Sequence, residues 1–350
     1  KEINHNEFFK KKSLINVVIL IIISLLIFSC SQEKNYNAKL SGDTMGTFYF
    51  IEVIDVPIKL KIKTIQSEID DTLMRVNKIL SNWDKNSEIS KINKIGINST
   101  IKISEELNEV FKTAIEINTK SNGFFDLTLD PIIELWGFGY DSKQLETIPT
   151  DEQIKKSLSS VGQKKFLKLD FNKNELTKKI KNLKINLSSI GKGYGIDIIG
   201  KKLDQLGIKN YIINIGGDIL TKGYNSKKKD WVIGVENPNI KEKLIKEIVN
   251  ITDKGLATSG DYKNFFTKNG IKYSHIINPK TGKPITHSTK SVTVIHENSM
   301  KADGWATAFL SIGSLEGLKI AEKEKIAVMF IDQIDNKLTK FKSTEFKNLK

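Results

Sequence analysis

The sequence predicts an α+β fold in which strand hairpins pack against amphipathic helices. Residues 48–53 alternate in polarity and are rich in aromatic side chains, which is typical of a strand. Between Lys59 and Leu80, apolar residues recur every three or four positions, which indicates a helix. Later segments mix strand–turn–strand with strand–helix order. With 350 residues, 39% of them hydrophobic, the chain can bury a large core. We therefore expect mixed or antiparallel sheets with flanking helices.

The first half of the chain is expected to alternate turns and helices. Ser104 is the predicted N-cap of one helix, since two glutamates occupy its first turn. A polar stretch at 140–165 separates this half from the next. The other predicted elements are a turn at 81–84, a short helix or turn at 87–93, a helix stop at 121–123, and strands near 166–170 and 183–187.

The second half is expected to combine hairpins with three helices. A glycine-rich turn at 191–195 opens the first of these helices, and a polar turn is predicted at 258–261. The predicted strands are 211–215, 219–221, 231–235, 245–251, 273–277, 291–296 and 326–331. The two later helices are predicted at about 300–312 and from there to about 324.

The N-terminal segment has the pattern of an export signal. Three lysines at 10–12 precede the apolar run 14–28, and Cys30 follows at the expected cleavage point. The segment resembles a bacterial lipoprotein signal, which would leave Cys30 acylated; an uncleaved anchor is the alternative. We divide the chain into a signal (1–29), a tether (30–39), one domain (40–340) and a polar tail (341–350). We expect the domain to be exported and held at the periplasmic face of the inner membrane.

The net charge of +14 does not indicate a nucleic-acid partner. Only one of the 55 basic residues, Arg75, is an arginine, although arginine is the preferred reader of base edges and phosphates. The lysines are interleaved with acidic residues along the chain, so a solvated basic surface explains the charge. We therefore expect no nucleic-acid binding.

Three residue sets could carry chemistry. Asp303 and Thr307 stand four apart at the start of a predicted helix, a hard-oxygen pair suited to Mg²⁺, although an aspartate there is also a common helix cap. Lys192 lies between glycines that would admit a phosphate, or that simply form a tight turn. His275 is either an acid–base residue or a structural histidine. Gly216-Gly217-Asp218 is either an ordinary hairpin turn or a further part of the site.

Several short motifs in a fixed order resemble those of the ApbE family, the exported FAD:protein FMN transferases. The resemblance covers the chain from Thr44 to Thr307. The motifs are Thr44-Met45-Gly46-Thr47, SNWDKNSEISKIN at 81–93, SNGFFDLTLDP at 121–131, WGFG at 136–139, INLSSIGKGYGID at 185–197, NIGGD at 214–218, ATSGDYKNFF at 257–266, YSHIINPKTGKP at 273–284, SVTV at 291–294 and ADGWAT at 302–307.

This resemblance implies an FAD site between the two halves of the domain and a Mg²⁺-dependent cleavage of FAD. FMN would pass to a Thr or Ser of a target protein, such as a flavin-carrying subunit of a membrane redox complex, and AMP would leave. Asp303, Thr307 and the Ser189 carbonyl would bind Mg²⁺, and His275 would act on the acceptor hydroxyl. The implied FAD contacts are Met45, Trp83, Phe124, Phe125, Asp126, Asn186, Lys192 and Ile276.

Two positions depart from the pattern of the family, which usually has Asp where Asn186 and Asn278 stand. Each change keeps the hydrogen-bonding shape and removes a charge. Two other functions fit the same motifs: an Mg²⁺-dependent FAD pyrophosphatase that yields FMN and AMP, and an FAD-binding lipoprotein without turnover. Trp83 and Phe125 also have an alternative interpretation, as ordinary core aromatics.

Overall fold

The structure is a computed structural model that describes residues 35–139, 147–236, 245–261, 264–335 and 337–349. The expected signal peptide and Cys30 lie outside these residues. Within them the helices are α1 (Ile62–Leu80), α2 (Glu88–Lys94), α3 (Glu105–Lys120), α4 (Asp130–Leu135), α5 (Asp151–Leu158), α6 (Gln163–Phe166), α7 (Gly191–Gln205), α8 (Ser299–Ile312), α9 (Ser314–Glu324) and α10 (Thr344–Lys347).

The strands of the described residues range from two to ten residues in length. They are β1 (Tyr36–Thr44), β2 (Thr47–Val56), β3 (Thr100–Lys102), β4 (Leu167–Asp170), β5 (Glu175–Lys178), β6 (Asn210–Ile215), β7 (Asp218–Lys222), β8 (Trp231–Glu236), β9 (Ile245–Ile251), β10 (Lys254–Gly260), β11 (Phe265–Lys268), β12 (Ile271–Ser274), β13 (Ile277–Asn278), β14 (Lys283–Pro284), β15 (Thr289–His296), β16 (Ala327–Ile334) and β17 (Lys337–Lys342).

One large sheet organises the molecule, and its eight strands follow the order β1-β2-β6-β7-β10-β15-β16-β17. Every neighbouring pair in it is antiparallel. Smaller sheets are β3-β5-β4, β8-β9, β11-β12 and β13-β14. The expectation of an α+β fold with antiparallel sheets and flanking helices is confirmed.

Helices cover one face of the large sheet and a hairpin covers part of the other. On the helical face, Ile69 of α1 and Ile199 of α7 pack with Ile51 and Ile213 from the strands. On the opposite face, the inward side chains of β8 and β9 and Phe346 of α10 form a separate apolar cluster. This arrangement brings the first turns of α7 and α8 together beside the sheet, where the candidate site lies.

The folded part of the chain extends beyond both ends of the predicted domain, 40–340. Residues 36–39, expected in the tether, belong to β1, because Tyr36 pairs with Val56 of β2. Residues 341–347, expected in a polar tail, complete β17 and form α10, and Phe346 is only 3% exposed. The polar stretch at 140–165 also contains α5, whose N-cap Thr150 forms a capping box with Gln153.

Three predicted elements have a different form. Residues 183–187 are not a strand, since their backbone groups bond to side chains: Ile185 N–H donates to Asn93 Oδ1 (2.8 Å) and Leu187 N–H to Asn82 Oδ1 (3.0 Å). The predicted strand at 273–277 is interrupted, and His275 lies between β12 and β13. Thr258 to Gly260, predicted as a turn, extend β10.

No helix among the described residues combines the length and the apolar character needed to cross a bilayer.

Candidate active site

Two tight hairpin turns lie side by side at one end of the large sheet. Met45 and Gly46 join β1 to β2 with φ of 50° and 71°, and Gly216 and Gly217 join β6 to β7 with φ of 58° and 100°. Positive φ at both loop residues is the geometry of a two-residue hairpin. Gly216 N–H donates to the Phe48 carbonyl (3.1 Å), which ties the two turns together. Met45 is strained for a residue with a side chain, a feature often found at functional sites.

Lys192, in the first turn of α7, lies between two buried carboxylates. Its Nζ is 2.6 Å from Asp218 Oδ2 and 3.5 Å from Asp303 Oδ1, and both aspartate side chains are 4% exposed. Burial by itself lowers the pKa of Lys192, but the two carboxylates outweigh it and raise that pKa above its usual value. Lys192 is therefore a permanent cation, and the three side chains together carry a net negative charge when both aspartates are ionised.

Asp303 is held in place from two sides. Gly193 N–H donates to its Oδ2 (3.0 Å), while Oδ1 faces Lys192. Burial raises the pKa of Asp303 to about 6; Lys192 opposes this effect and Asp218 adds to it. A buried carboxyl whose ionisation is costly is a group that a divalent cation would stabilise in its charged form.

The close crossing of α7 and α8 fixes the position of Asp303. A Cβ on Gly193 would lie 2.2 Å from the Ser299 carbonyl oxygen, so the helices could not approach this closely with any other residue. The Asp197 carboxylate accepts from Ser299 N–H (2.8 Å) and Met300 N–H (2.9 Å) at the start of α8. These bonds satisfy free N–H groups of the first turn.

Thr307 lies one helical turn after Asp303, on the same face of α8. Its Oγ1 is 3.5 Å from the Ser189 carbonyl oxygen and 3.5 Å from Ser259 Oγ. The grouping brings together a carboxylate, two hydroxyls and a backbone carbonyl, the hard oxygen donors that suit Mg²⁺ or Ca²⁺. Among the described residues, this site included, no cluster of three or more His, Cys, Asp and Glu side chains has the arrangement of a metal site, so the other donors here would be hydroxyl and carbonyl oxygens.

His275 is oriented by the backbone of the loop that follows β10. Its backbone N–H (3.2 Å) and its Nδ1 (2.8 Å) both contact the Asn264 carbonyl oxygen. A carbonyl only accepts, so the proton of the neutral ring is on Nδ1 and Nε2 keeps its lone pair. Burial lowers the pKa of His275, with the Asn264 bond and the charge of Asp261 acting in the opposite direction. The ring is thus prepared to accept a proton at neutral pH.

The segment of His275 is connected to α8. Ser311 Oγ, one turn beyond Thr307, donates to the Ile277 carbonyl (3.4 Å). The histidine is therefore attached to the same helix that carries Asp303 and Thr307.

Four of the residues implied as flavin contacts offer accessible side-chain surface. Trp83 is 67% exposed, and Ile276 is half-buried against the main core. Phe124 is half-buried, with Lys280 Nζ 4.2 Å from the centre of its ring. Met45 reaches α7, since its Cε would be 2.6 Å from a Cβ on Gly195. A planar ring could be held between such side chains.

Two other implied contacts are occupied within the protein. Phe125 is 1% exposed in the main core, so its ring presents no surface to a ligand here. The Asp126 carboxylate accepts from Thr128 N–H (2.8 Å), Thr128 Oγ1 (2.5 Å) and Gln163 N–H (3.1 Å). It stabilises the loop around it, and burial raises its pKa.

The two asparagines that depart from the family pattern have defined partners. Asn186 Nδ2 donates to Asp130 Oδ1 (2.7 Å), and its Oδ1 accepts from Ser188 N–H (2.9 Å). An aspartate at 186 would instead place two carboxylates in contact, so Asn186 is matched to Asp130. Asn278 Oδ1 accepts from Lys280 N–H (2.9 Å), a turn-forming bond that an aspartate would also make.

Sequence reasoning missed the role of Asp218. The Gly216-Gly217-Asp218 turn is a hairpin, one of the two forms expected, and its aspartate also pairs with Lys192, a partner that the sequence does not reveal. An acidic residue directly after a glycine pair, at the end of a buried strand, was the available signal. The partner 26 residues earlier was not visible in the local pattern.

Comparison with known proteins places this geometry in one family. Residues 45–330 match the ApbE family. An FAD:protein FMN transferase of Vibrio cholerae is 37% identical over 94% of this chain and 97% of its own length. That of Haemophilus influenzae is 37% identical over 97% of this chain and 98% of its own.

Solved structures agree with this assignment. The flavin transferase ApbE from Vibrio cholerae superposes with a TM-score of 0.83, covering 90% of this chain and all of its own, at 37% identity. The apo flavinyl transferase ApbE of Pseudomonas stutzeri gives a TM-score of 0.82 at 29% identity, covering 91% of this chain and 98% of its own.

Proposed function

Because the chain belongs to the ApbE family, we propose that it is an FAD:protein FMN transferase that moves the FMN half of FAD to a Thr or Ser hydroxyl of an acceptor protein. The observation that carries the proposal is the placement of Lys192 Nζ 3.5 Å from Asp303 Oδ1, with Thr307 one turn further along the same helix, next to the Ser189 carbonyl. A fixed cation next to a hard-oxygen donor set is suited to a pyrophosphate with its metal ion.

The reaction is a phosphoryl-type transfer in which one phosphorus–oxygen bond forms and one breaks. The acceptor oxygen attacks the phosphorus of the FMN half, and a phosphoester bond forms. The bond from that phosphorus to the bridging oxygen of the pyrophosphate breaks, and AMP leaves with the bridging oxygen. In such reactions the enzyme contributes mainly by positioning groups and by stabilising charge.

His275 would accept the proton of the acceptor hydroxyl. Nε2 carries the lone pair, because Nδ1–H is held by the Asn264 carbonyl. The lowered pKa of His275 keeps the ring neutral at pH 7, as a general base requires. The hydroxyl is a poor nucleophile until it loses this proton, so the base acts on the step that forms the new bond.

Asp303, Thr307 and the Ser189 carbonyl would hold Mg²⁺, which supplies positive charge to the pyrophosphate when bound. Lys192 adds a second positive charge from the protein itself. It stays protonated because of Asp218 and Asp303. Trp83, Phe124, Met45 and Ile276 would contact FAD and hold it in position for attack.

The location of the enzyme is part of the same proposal. The apolar run at 14–28 and Cys30 support export and attachment to a membrane, most simply by acylation of Cys30. The acceptors would then be flavin-carrying subunits of membrane redox complexes that expose a Thr or Ser on the same side of the inner membrane.

The experiment combines the protein with FAD, Mg²⁺ and a flavin-acceptor domain. After denaturing electrophoresis, the acceptor band is examined for flavin fluorescence, and AMP is quantified in the same samples. We expect a fluorescent acceptor and an equal amount of AMP. Free FMN with AMP and a dark acceptor would identify a pyrophosphatase, and bound FAD without AMP would identify a binding protein; either outcome contradicts the proposal.

A further inference from the structure

A group of exposed lysines surrounds one end of the β1–β2 hairpin, and the proposed chemistry does not use it. The start of β1 is fastened to this region by two bonds. Tyr36 OH donates to the Leu60 carbonyl, and Asp55 N–H donates to Asn37 Oδ1 (3.0 Å). Residues 55–63 therefore lie beside the point where the chain enters the sheet.

The segment from Ile58 to Lys63 alternates apolar and cationic side chains. Lys59, Lys61 and Lys63 are all exposed. Ile58 and Ile62 are 48% and 46% exposed, a large fraction for isoleucine. Exposed aliphatic side chains between exposed lysines suit the headgroup region of a bilayer, where aliphatic groups enter the interface and ammonium groups stay among the headgroups.

A second group of lysines is joined to the first through Asp55. Lys228 Nζ pairs with the Asp55 carboxylate, which also accepts from Tyr224 OH (2.8 Å). Lys227 and Lys229 flank Lys228, and all three are exposed. We define the basic patch as Lys59, Lys61, Lys63, Lys227, Lys228 and Lys229 together with Ile58 and Ile62. Against its six lysines stand Asp55, Asp230 and Asp253, whose carboxylate accepts from Gly223 N–H (3.0 Å), so the patch keeps a net positive charge.

The position of the patch in the sequence identifies what it faces. Only five residues separate Tyr36 from Cys30, and the apolar run 14–28 ends two positions before Cys30. The six steps of chain from Cys30 to Tyr36 span about 20 Å at most. Acylation of Cys30 and an uncleaved anchor would both hold the patch within about that distance of a bilayer surface. Anionic headgroups are the chemical complement of such a patch.

We propose that the basic patch binds anionic lipid headgroups, with Ile58 and Ile62 entering the interface, and so orients the domain on the membrane. The residues of β1 connect the patch to the Met45–Gly46 turn. Eight steps along a strand span about 27 Å. If the proposed function also holds, the site therefore opens at the end of the hairpin remote from the bilayer, and an acceptor must present its hydroxyl there.

The test is a footprint of the full chain, anchored in vesicles of phosphatidylcholine alone or with added phosphatidylglycerol. Lysines are acetylated briefly, and the modification at each is measured by mass spectrometry. We expect five lysines of the patch to react several-fold more slowly in the anionic vesicles: Lys59, Lys61, Lys63, Lys227 and Lys229. The exposed lysines at 155, 156 and 164 are the matched comparison, and we expect their rates to be the same in both vesicles. The neutral vesicles control for the tether.

A triple variant, Lys59→Gln with Lys61→Gln and Lys63→Gln, tests whether the patch acts as a unit. We expect Lys227 and Lys229 to lose their protection in this variant and to keep it in the matched triple Lys155→Gln, Lys156→Gln and Lys164→Gln. Equal reactivity of the patch lysines in both vesicle types would overturn the proposal, as would protection that appears only with an added acidic protein. No flavin is present, so this failure would be distinct from failure of the transferase activity.

Discussion

Lys192 is the residue on which the electrostatics of the site depend. It is the counter-charge for two carboxylates that are almost fully buried, Asp218 and Asp303. A buried charge without a partner is costly, whereas a paired one is tolerated. The same ammonium group would attract the phosphates of a ligand, so stability and binding share one side chain.

We expect Lys192→Met to lower the free energy of unfolding by about 2–3 kcal/mol, less than for a fully buried pair because the lysine is 32% exposed. Urea unfolding of the two proteins measures the difference. Lys201→Met, on the same helix, is the matched control, since the Lys201–Glu109 pair is exposed and should contribute less than about 0.5 kcal/mol. Equal effects of the two substitutions would contradict the role given to Lys192.

The protonation state of His275 should appear in the pH dependence of transfer. Burial lowers its pKa below 6.5, so the active neutral form predominates above that value and is lost as the pH falls. We expect the rate to rise with pH below neutrality and then to level off. His275→Ala should reduce transfer by about 10²- to 10⁴-fold and remove this rise, while FAD binding changes little. If FAD binding and transfer fall together, the histidine is structural.

The sequence identifies the residues that could carry chemistry, but it does not show which residues lie beside them in the folded protein. Asp303, Thr307, Lys192 and His275 were each identified from local patterns. Asp218 completes the set because the start of β7 lies beside the first turn of α7, which is a tertiary arrangement. Conversely, Phe125 is part of a recognisable motif, yet its side chain is buried, because burial is decided by the packing of distant elements.

At the scale of elements, the crossing of α7 and α8 determines the geometry of the site. Gly193 is the contact point, and its N–H group bonds directly to Asp303. Any side chain here would separate the helices and displace the carboxylate. The glycine is required for the close approach and not for an unusual φ.

Gly193→Ala should therefore be destabilising by about 2 kcal/mol or more, since its Cβ would meet the Ser299 backbone. Gly191→Ala, two residues earlier on the same helix, is the control, because its Cβ would find only Leu80 at 3.9 Å. We expect that control to be neutral or slightly stabilising. Thermal unfolding of the natural protein and of the two alanine variants measures these changes. A similar loss of stability in both variants would disprove the packing argument.

The sequence predicts the strongly periodic helices correctly. It does not predict the form of a segment whose backbone groups bond to side chains from distant parts of the chain. The helix predicted at 59–80 is present as α1, and Ser104 caps α3 as expected. Residues 183–187 looked like a strand because they alternate in polarity. Their backbone bonds go to Asn82 and Asn93 instead, and nothing in the local sequence indicates that.

At the scale of the whole molecule, we expect stability to depend on pH through His296, a half-buried histidine. Burial lowers the pKa of His296 from 6.5 to about 4, and the positive charge of Lys301 acts in the same direction. Its Nδ1 also accepts a bond from Glu297 N–H (2.9 Å), which protonation would break. Between these two pKa values the unfolded chain binds a proton that the folded one does not.

Stability should therefore be complete above about pH 6.5 and decline as the pH falls towards 4. We expect His296→Gln to flatten this part of the curve, because the substituted side chain does not titrate. Urea midpoints across this range measure the effect. Parallel curves for the two proteins would show that His296 does not contribute.

In the proposed reaction, FMN transfer depends on Asp303 as a ligand of the cation. The most direct test is the rate of flavin transfer to an acceptor as Mg²⁺ is titrated, for the natural protein and for Asp303→Asn, which keeps the shape of the side chain and removes its charge. We expect transfer by the natural protein to require Mg²⁺ and to saturate, and the variant to need far more Mg²⁺ or to remain inactive. Equal rates in the two proteins at every Mg²⁺ concentration would contradict the assignment of the site.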